Sequence, residues 1–195
     1  FGSDMKTTFQ FIVALLLVQL TATSVFADVC VWRDPERTMQ KIFPAARDYK
    51  TVTAKMTPER IAAIEKGIST PLDESEKKEF DRYEIFGANS QKIGTVLALA
   101  GKGEYGAIEI VMGVDATGKV AGVYIQRSRE RVTKSLHSLE FLNEFAGKTK
   151  NYGFEVGKDI KPASPDAEPA SRVVAFVVKK MFVFYDVLTS GEKKP

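Results

Sequence analysis

One histidine and one cysteine in 195 residues leave little material for proton-transfer or metal chemistry. A hydrolase of the Ser/His/Asp type has only His137 to work with, and nothing in the order of the chain supplies its partners. His137 lies beside Ser138 with no second histidine or cysteine near it, so it lacks the spacing of a metal ligand and reads as a surface residue. The residues that remain capable of holding a ligand form two groups. Arg127, Arg129 and Arg131 alternate around Glu130, and would attract an anion or simply be solvated. Ser164, Ser171 and Arg172 stand around the two prolines of "SPDAEPASR", just before a strongly apolar run. A helix entrance of that kind suits an anion, yet Asp166 and Glu168 already place two carboxylates there.

Compartment follows from the N-terminal region. After the lead FGSD, Met5 and Lys6 precede an apolar run from Phe9 that closes with small or branched residues at Val25 and Ala27. The pattern is that of a secretory signal peptide cut between Ala27 and Asp28, with an uncleaved membrane anchor as the competing reading. Cleavage of the first 27 of 195 residues leaves 168, the size of one domain. Cys30 is not preceded by the small residues a lipid-anchored cysteine needs, and with no second cysteine it either pairs between molecules or stays an inert thiol. No Cys-x-x-Cys-His haem attachment is present. The net charge is +3, with bases interspersed among acids, which gives no support for nucleic-acid binding.

The elements that must position these side chains are readable in outline. Asp34-Pro35-Glu36-Arg37 and Thr57-Pro58-Glu59-Arg60 each combine an N-cap, a proline at the first helical position and a glutamate in the first turn. They open two helices, the first reaching about Phe43 and the second stopping at Gly67. From Phe80 the period becomes strand-like, and "YGAIEIVMGV" and "VAGVYIQR" flank the tight-turn sequence "DATGK". Glu109, between two isoleucines, should face solvent. A helix "LHSLEFLNEFAGK" is expected with Leu136, Leu139, Leu142 and Phe145 on one stripe, followed by an apolar helix from Ala170 to Leu188. The expected class is α+β: two N-terminal helices, then an antiparallel sheet of four to five strands packed by helices, the last long and apolar. The expected divisions are 1–27 for the lead and signal peptide, 28–79 for an N-terminal helical segment and 80–195 for the sheet domain.

From about Gly103 to Leu188 this succession resembles a known family. "GAIEIVMGVDATGKVAGVYI", a linker containing Glu130, and "FLNEFAGK" resemble the FMN-binding domain of flavoprotein subunits in membrane-bound ion-pumping NADH oxidoreductases and related exported electron carriers. In that family a Ser-Gly-Ala-Thr motif leads into the C-terminal helix, and its threonine holds FMN through a phosphoester. Aligned back from Ser171-Arg172, the motif falls on Pro165-Asp166-Ala167-Glu168, where no hydroxyl stands. The linker keeps only Glu130 of the family's His-x-Glu. The resemblance therefore implies a periplasmic or extracellular electron carrier, or a non-catalytic accessory subunit, with FMN held non-covalently or lost. Arg127, Arg129, Glu130, Ser164, Ser171 and Arg172 are the implied cofactor residues, with Phe154, Tyr152 or Tyr124 available to cover the ring. The implied partner is a membrane redox complex or a periplasmic electron carrier, and the C-terminal helix, with Phe176, Phe182 and Phe184, offers a protein-docking or membrane face. A docking subunit that binds no flavin is the alternative.

Overall fold

The structure, a computed structural model, describes residues 36–190. The signal-peptide and Cys30 readings therefore lie outside the described residues.

Helix α1 (Glu36–Ile42) is followed by strand β1 (Asp48–Lys55), helix α2 (Pro58–Ile68) and strands β2 (Glu79–Phe86), β3 (Lys92–Lys102), β4 (Ala107–Asp115) and β5 (Val120–Arg127). Two short helices, α3 (Thr133–Leu136) and α4 (Leu139–Asn143), lead through a long connection to α5 (Glu168–Thr189). The strands form one antiparallel sheet in the order β1-β2-β3-β4-β5, so every strand pairs with its neighbours in sequence. This is the α+β architecture expected, with one difference: "DYKTVTAK" forms an edge strand between the two N-terminal helices. Its Tyr, Val and Thr residues favour an extended chain, but most of its side chains are exposed, so it carries little hydrophobic alternation.

Helices cover both faces of the sheet. On the inner face, Leu97, Ile108, Ile110, Met112 and Ile125 pack with Val174, Val178 and Met181 of α5 in the main core. On the outer face, Ile85, Val96 and Val111 pack with Met39 and Phe43 in a second core beneath α1. Strand β4 is consequently buried on both sides along most of its length. That corrects the expectation for Glu109, which is 5% exposed because α1 covers the face the sequence assigned to solvent.

Helix ends carry the other corrections. Thr57 Oγ1 accepts from the Arg60 N–H, the cap the sequence announced. The helix then runs past Gly67 to Ile68, and Ser69 takes the left-handed conformation at φ 56°. Gly67 is small for a packing reason: a Cβ there would stand 2.7 Å from Val183 Cγ1 of α5. The expected "LHSLEFLNEFAGK" helix is broken in two, since Ser138 adopts an extended conformation and accepts from the Phe141 N–H as the cap of α4. Leu139 is thereby turned out to 75% exposure, whereas Leu136, Leu142 and Phe145 remain in the core. In α5, Phe182 and Phe184 are buried and Phe176 is 39% exposed, so the aromatic face imagined for a partner reduces to one ring. Among the described residues, no helix is long and apolar enough to cross a membrane.

Candidate functional site

Three segments far apart in sequence meet at one end of the sheet. The β3–β4 turn is closed by Gly103 N–H donating to Gly106 O at 2.9 Å, with Gly106 at φ +142°, a region that favours glycine. The linker after β5 is tightened by the Glu130 N–H on Ser128 Oγ at 3.1 Å and by the Thr133 hydroxyl donating to Glu130 O. The third segment is the entrance to α5, where a 3₁₀ turn over Pro165–Ala167 runs directly into the helix. Between them lies a cleft of about 310 Å³, lined by the turn, by Glu130 to Val132, and by Asp166, Pro169, Ala170 and Val173.

Glu130 is the hinge of this arrangement. It is 6% exposed, and its Oε1 accepts the Tyr105 backbone N–H at 3.1 Å. The carboxylate enters the space that a side chain on Gly103 would need, since a Cβ there would overlap Oε1. A buried carboxylate requires such a donor. Beside it, the Arg131 guanidinium lies 4.6 Å from the centroid of the Tyr105 ring, within cation–π range. The Tyr105 phenol is raised above its ordinary value, chiefly by its hydrogen bond with Glu104. Lys102 and Arg131 are the cations lining the cleft; Glu104, Glu130 and Asp166 are its acids.

The helix entrance is already satisfied from within. Ser164 Oγ donates to Asp166 Oδ1 at 2.6 Å. Ser171, fully buried, donates to Ala167 O at 2.8 Å and accepts the Ala163 N–H at 3.0 Å, so its hydroxyl is committed to the backbone. Arg172 is paired with Glu168 one turn earlier. Asp166 and Glu168 therefore provide the negative charge that the positive end of a helix favours. Neither can form a phosphoester.

Of the residues singled out in the sequence, Glu130 lines the cleft, and Ser164, Ser171 and Arg172 surround the entrance to α5. Arg129 lays its stem against Gly106, 3.2 Å from where a Cβ would stand. Arg127 turns to Glu109, with Nη1 3.8 Å from Oε1, across a β-bulge in the β4–β5 pairing. None of the aromatic rings expected to cover a flavin lines the cleft. Phe154 is in the core, the Tyr124 hydroxyl accepts from Lys41 at 2.7 Å, and Tyr152 lies under Lys148. The ring that does line it, Tyr105, was passed over. Its signal was the pair of glycines flanking Glu104-Tyr105 in a turn next to the strand the resemblance begins with.

No family model and no curated protein match this chain. Among solved structures, the crystal structure of Shewanella oneidensis NqrC is similar, with a TM-score of 0.52 and 16% identity, over 83% of this chain and 92% of that one. At that identity the likeness is one of fold: this chain has an NqrC-like α+β fold.

Proposed function

We propose that the chain is an exported electron-transfer protein that holds FMN non-covalently in the cleft at Glu130. The observation that carries this reading is the convergence on a single cleft of two segments named by the FMN-binding-domain resemblance, the Glu130 linker and the entrance to α5, together with the β3–β4 turn. The NqrC-like fold accords with it. The residues fit a non-covalent flavin and not a tethered one. Val132, Pro169, Ala170 and Val173 give an apolar wall, and Tyr105 a ring beside it, the mixture that cofactor clefts use. Lys102 and Arg131 are the cations available to a phosphate, while Asp166 and Glu168 at the helix entrance repel one. When bound, flavin supplies reversible one- and two-electron transfer. The chain's part is to bind it, shield one face and keep the carboxylate of Glu130 fixed. Delivery to a membrane redox complex or a periplasmic carrier belongs to the same proposal and rests on the sequence resemblance and the signal-peptide pattern.

A second reading, a docking subunit without flavin, draws on one observation: three acids line the cleft and both nearby serines are already hydrogen-bonded. Titration with FMN, followed by flavin fluorescence, separates the two. Saturable binding that is lost on acid denaturation supports the first. A variant with Asp166→Gly, Glu168→Thr and Pro169→Ile removes two carboxylates and returns an amide donor. It should bind FMN at least about tenfold more tightly, about 1.4 kcal/mol. Absence of binding in both proteins would establish the docking reading, and flavin surviving denaturation of the native protein would overturn the non-covalent assignment.

A further inference from the structure

The inner face of the sheet is not sealed along its whole length. Strand β3 sends Leu97 and Leu99 into the main core and Val96 into the outer one, so alternation puts Thr95 on the inner face with the leucines. There it lines a cleft of about 570 Å³, at the opposite end of α5 from the Glu130 cleft. The walls are the β4–β5 turn, the loop from Thr149 to Asn151 and the last turns of α5 from Phe182. Two contacts hold that loop against the helix. Lys150 Nζ donates to both oxygens of Asp186, at 2.9 and 3.2 Å, and the Phe154 ring stacks on Phe182 with centroids 6.0 Å apart. The volume lies within the roughly 300–1,000 Å³ of small-molecule sites.

The groups left without partners define what this cleft can hold. Thr95 is 1% exposed, yet its hydroxyl has no hydrogen-bond partner among the described residues. A buried hydroxyl in that state costs free energy that a bonded ligand recovers. Asp115 uses Oδ1 for the Thr117 N–H, the Thr117 hydroxyl and the Lys119 N–H, which leaves Oδ2 open. The side-chain amide of Asn151, at the rim, is likewise unbonded among the described residues. The cations are already spent: Lys92 pairs with Glu84 at 2.6 Å and Lys150 with Asp186 at 2.9 Å. Tyr185 adds an aromatic wall, its ring edge-on to Phe182. Since β3 is paired on both sides, with Glu84 and Val114 opposite Thr95, no strand can add at this floor.

We propose that this cleft binds a neutral polyhydroxylated ring, a monosaccharide unit, with hydroxyls bonded to Thr95, Asp115 Oδ2 and the Asn151 amide and one C–H face against Tyr185. Each sugar hydroxyl both donates and accepts, so adjacent ones meet a hydroxyl, a carboxylate oxygen and an amide together. An anion finds both lining ammonium groups paired, and a cation finds the Asp186 carboxylate taken by Lys150. An apolar ligand would leave the Thr95 hydroxyl unbonded and bury Asp115 without compensation. The cleft shares no lining residue with the one at Glu130, so the proposal stands or falls independently of flavin.

The test titrates isotope-labelled full chain with the methyl glycosides of glucose, galactose, mannose and N-acetylglucosamine. Glucuronate and glucosamine serve as charged counterparts, and N-acetylalanine methylamide as a peptide mimic. Saturable amide shifts centred on Thr95, Asp115, Asn151 and Tyr185 are expected from at least one glycoside, with little dependence on salt. Thr95→Val keeps the shape and removes the hydroxyl, so it should leave the melting temperature unchanged or raised and weaken that glycoside about tenfold. Asn151→Ala, at an exposed position, should weaken it about threefold and supplies the answer if Thr95→Val does not fold. No saturable binding by any of the four glycosides, shifts located away from this cleft, or a folded Thr95→Val variant with native affinity would overturn the proposal. Equal or tighter binding of glucuronate, glucosamine or the peptide mimic would overturn it in favour of an anion, cation or peptide site respectively.

Discussion

Glu130 Oε1 accepts the Tyr105 backbone N–H at 3.1 Å from a linker 25 residues further along the chain, and so fastens the β3–β4 turn to the entrance of the candidate site. Replacing Glu130 with alanine leaves that N–H without its acceptor, at a cost of about 1–3 kcal/mol. Glu130→Gln keeps an acceptor oxygen and should cost under about 1 kcal/mol. Thermal unfolding of the two variants measures the difference. Equal losses would mean that the charge, and not the turn contact, is what the fold uses.

Gly103 bears on the same contact. A methyl group at this position overlaps Glu130 Oε1, a side-chain atom held in place by the turn itself. Gly103→Ala should therefore displace the carboxylate and reproduce most of the Glu130→Ala loss, and the double variant should lose much less than the two singles added together. Additive losses would show that Gly103 and Glu130 act separately.

The contrast between these residues and Tyr105 shows how far the sequence could be read. Strands β2 to β5 and the long α5 were legible because their apolar runs are long and their turns carry Asp and Gly at telling positions, as at Asp115, which accepts from the Thr117 and Lys119 N–H groups. β1 was missed because an edge strand exposed on most of its length has no buried side to impose a period of two. Glu109 was misassigned because a single strand does not reveal that a helix lies over its second face. In the candidate site, Glu130 could be named from its motif. The turn that receives it could not, because the pairing is long-range and neither Gly103 nor Tyr105 carries a local pattern. The break between Leu136 and Leu139 that leaves two short helices was likewise hidden, since the apolar spacing suits one helix and the Ser138 cap competes with it.

A second long-range pair should dominate stability. Lys180, among the buried residues of α5, places Nζ 2.6 Å from the Glu76 carboxylate, and both side chains are 10% exposed. Lys180→Met leaves that carboxylate buried without its partner and should cost about 3–5 kcal/mol. Lys180→Met with Glu76→Leu removes both charges and should recover most of the loss, because a buried ion pair is repaid by good apolar packing. Denaturant unfolding of the single and double variants decides this. A double variant no more stable than the single would show that the pair is worth more than its desolvation.

Gly67 and Val183 set how closely α2 approaches α5. Gly67→Ala gains about 1 kcal/mol of helix propensity but brings a methyl 2.7 Å from Val183 Cγ1, and overpacking of this kind costs about 1–3 kcal/mol. The single variant should be less stable than the native protein. Adding Val183→Ala opens the space, and Gly67→Ala measured in that background should be stabilising. The same sign in both backgrounds would mean that the two helices are free to separate.

His137 provides the pH dependence. Desolvation by burial lowers its pKa from the ordinary value of about 6.5, and its enclosed Nε2 has no hydrogen-bond partner. The unfolded chain therefore binds a proton at higher pH than the folded one. Stability is independent of this group above about pH 6.5 and falls as the pH drops below that value, where the unfolded state takes up the proton first. The loss continues until the pH has passed through the lowered folded value. The carboxylates with lowered pKa, such as Asp115 with its backbone and Thr117 donors, act in the same direction but nearer pH 4 and below, so the two windows separate. Melting temperature should accordingly decline between pH 7 and pH 5 in the native protein. In His137→Leu that decline should be absent, while the further fall below pH 4 remains. An unchanged slope between pH 7 and pH 5 in the variant would show that His137 is hydrated in the folded state and titrates as it does in the unfolded chain.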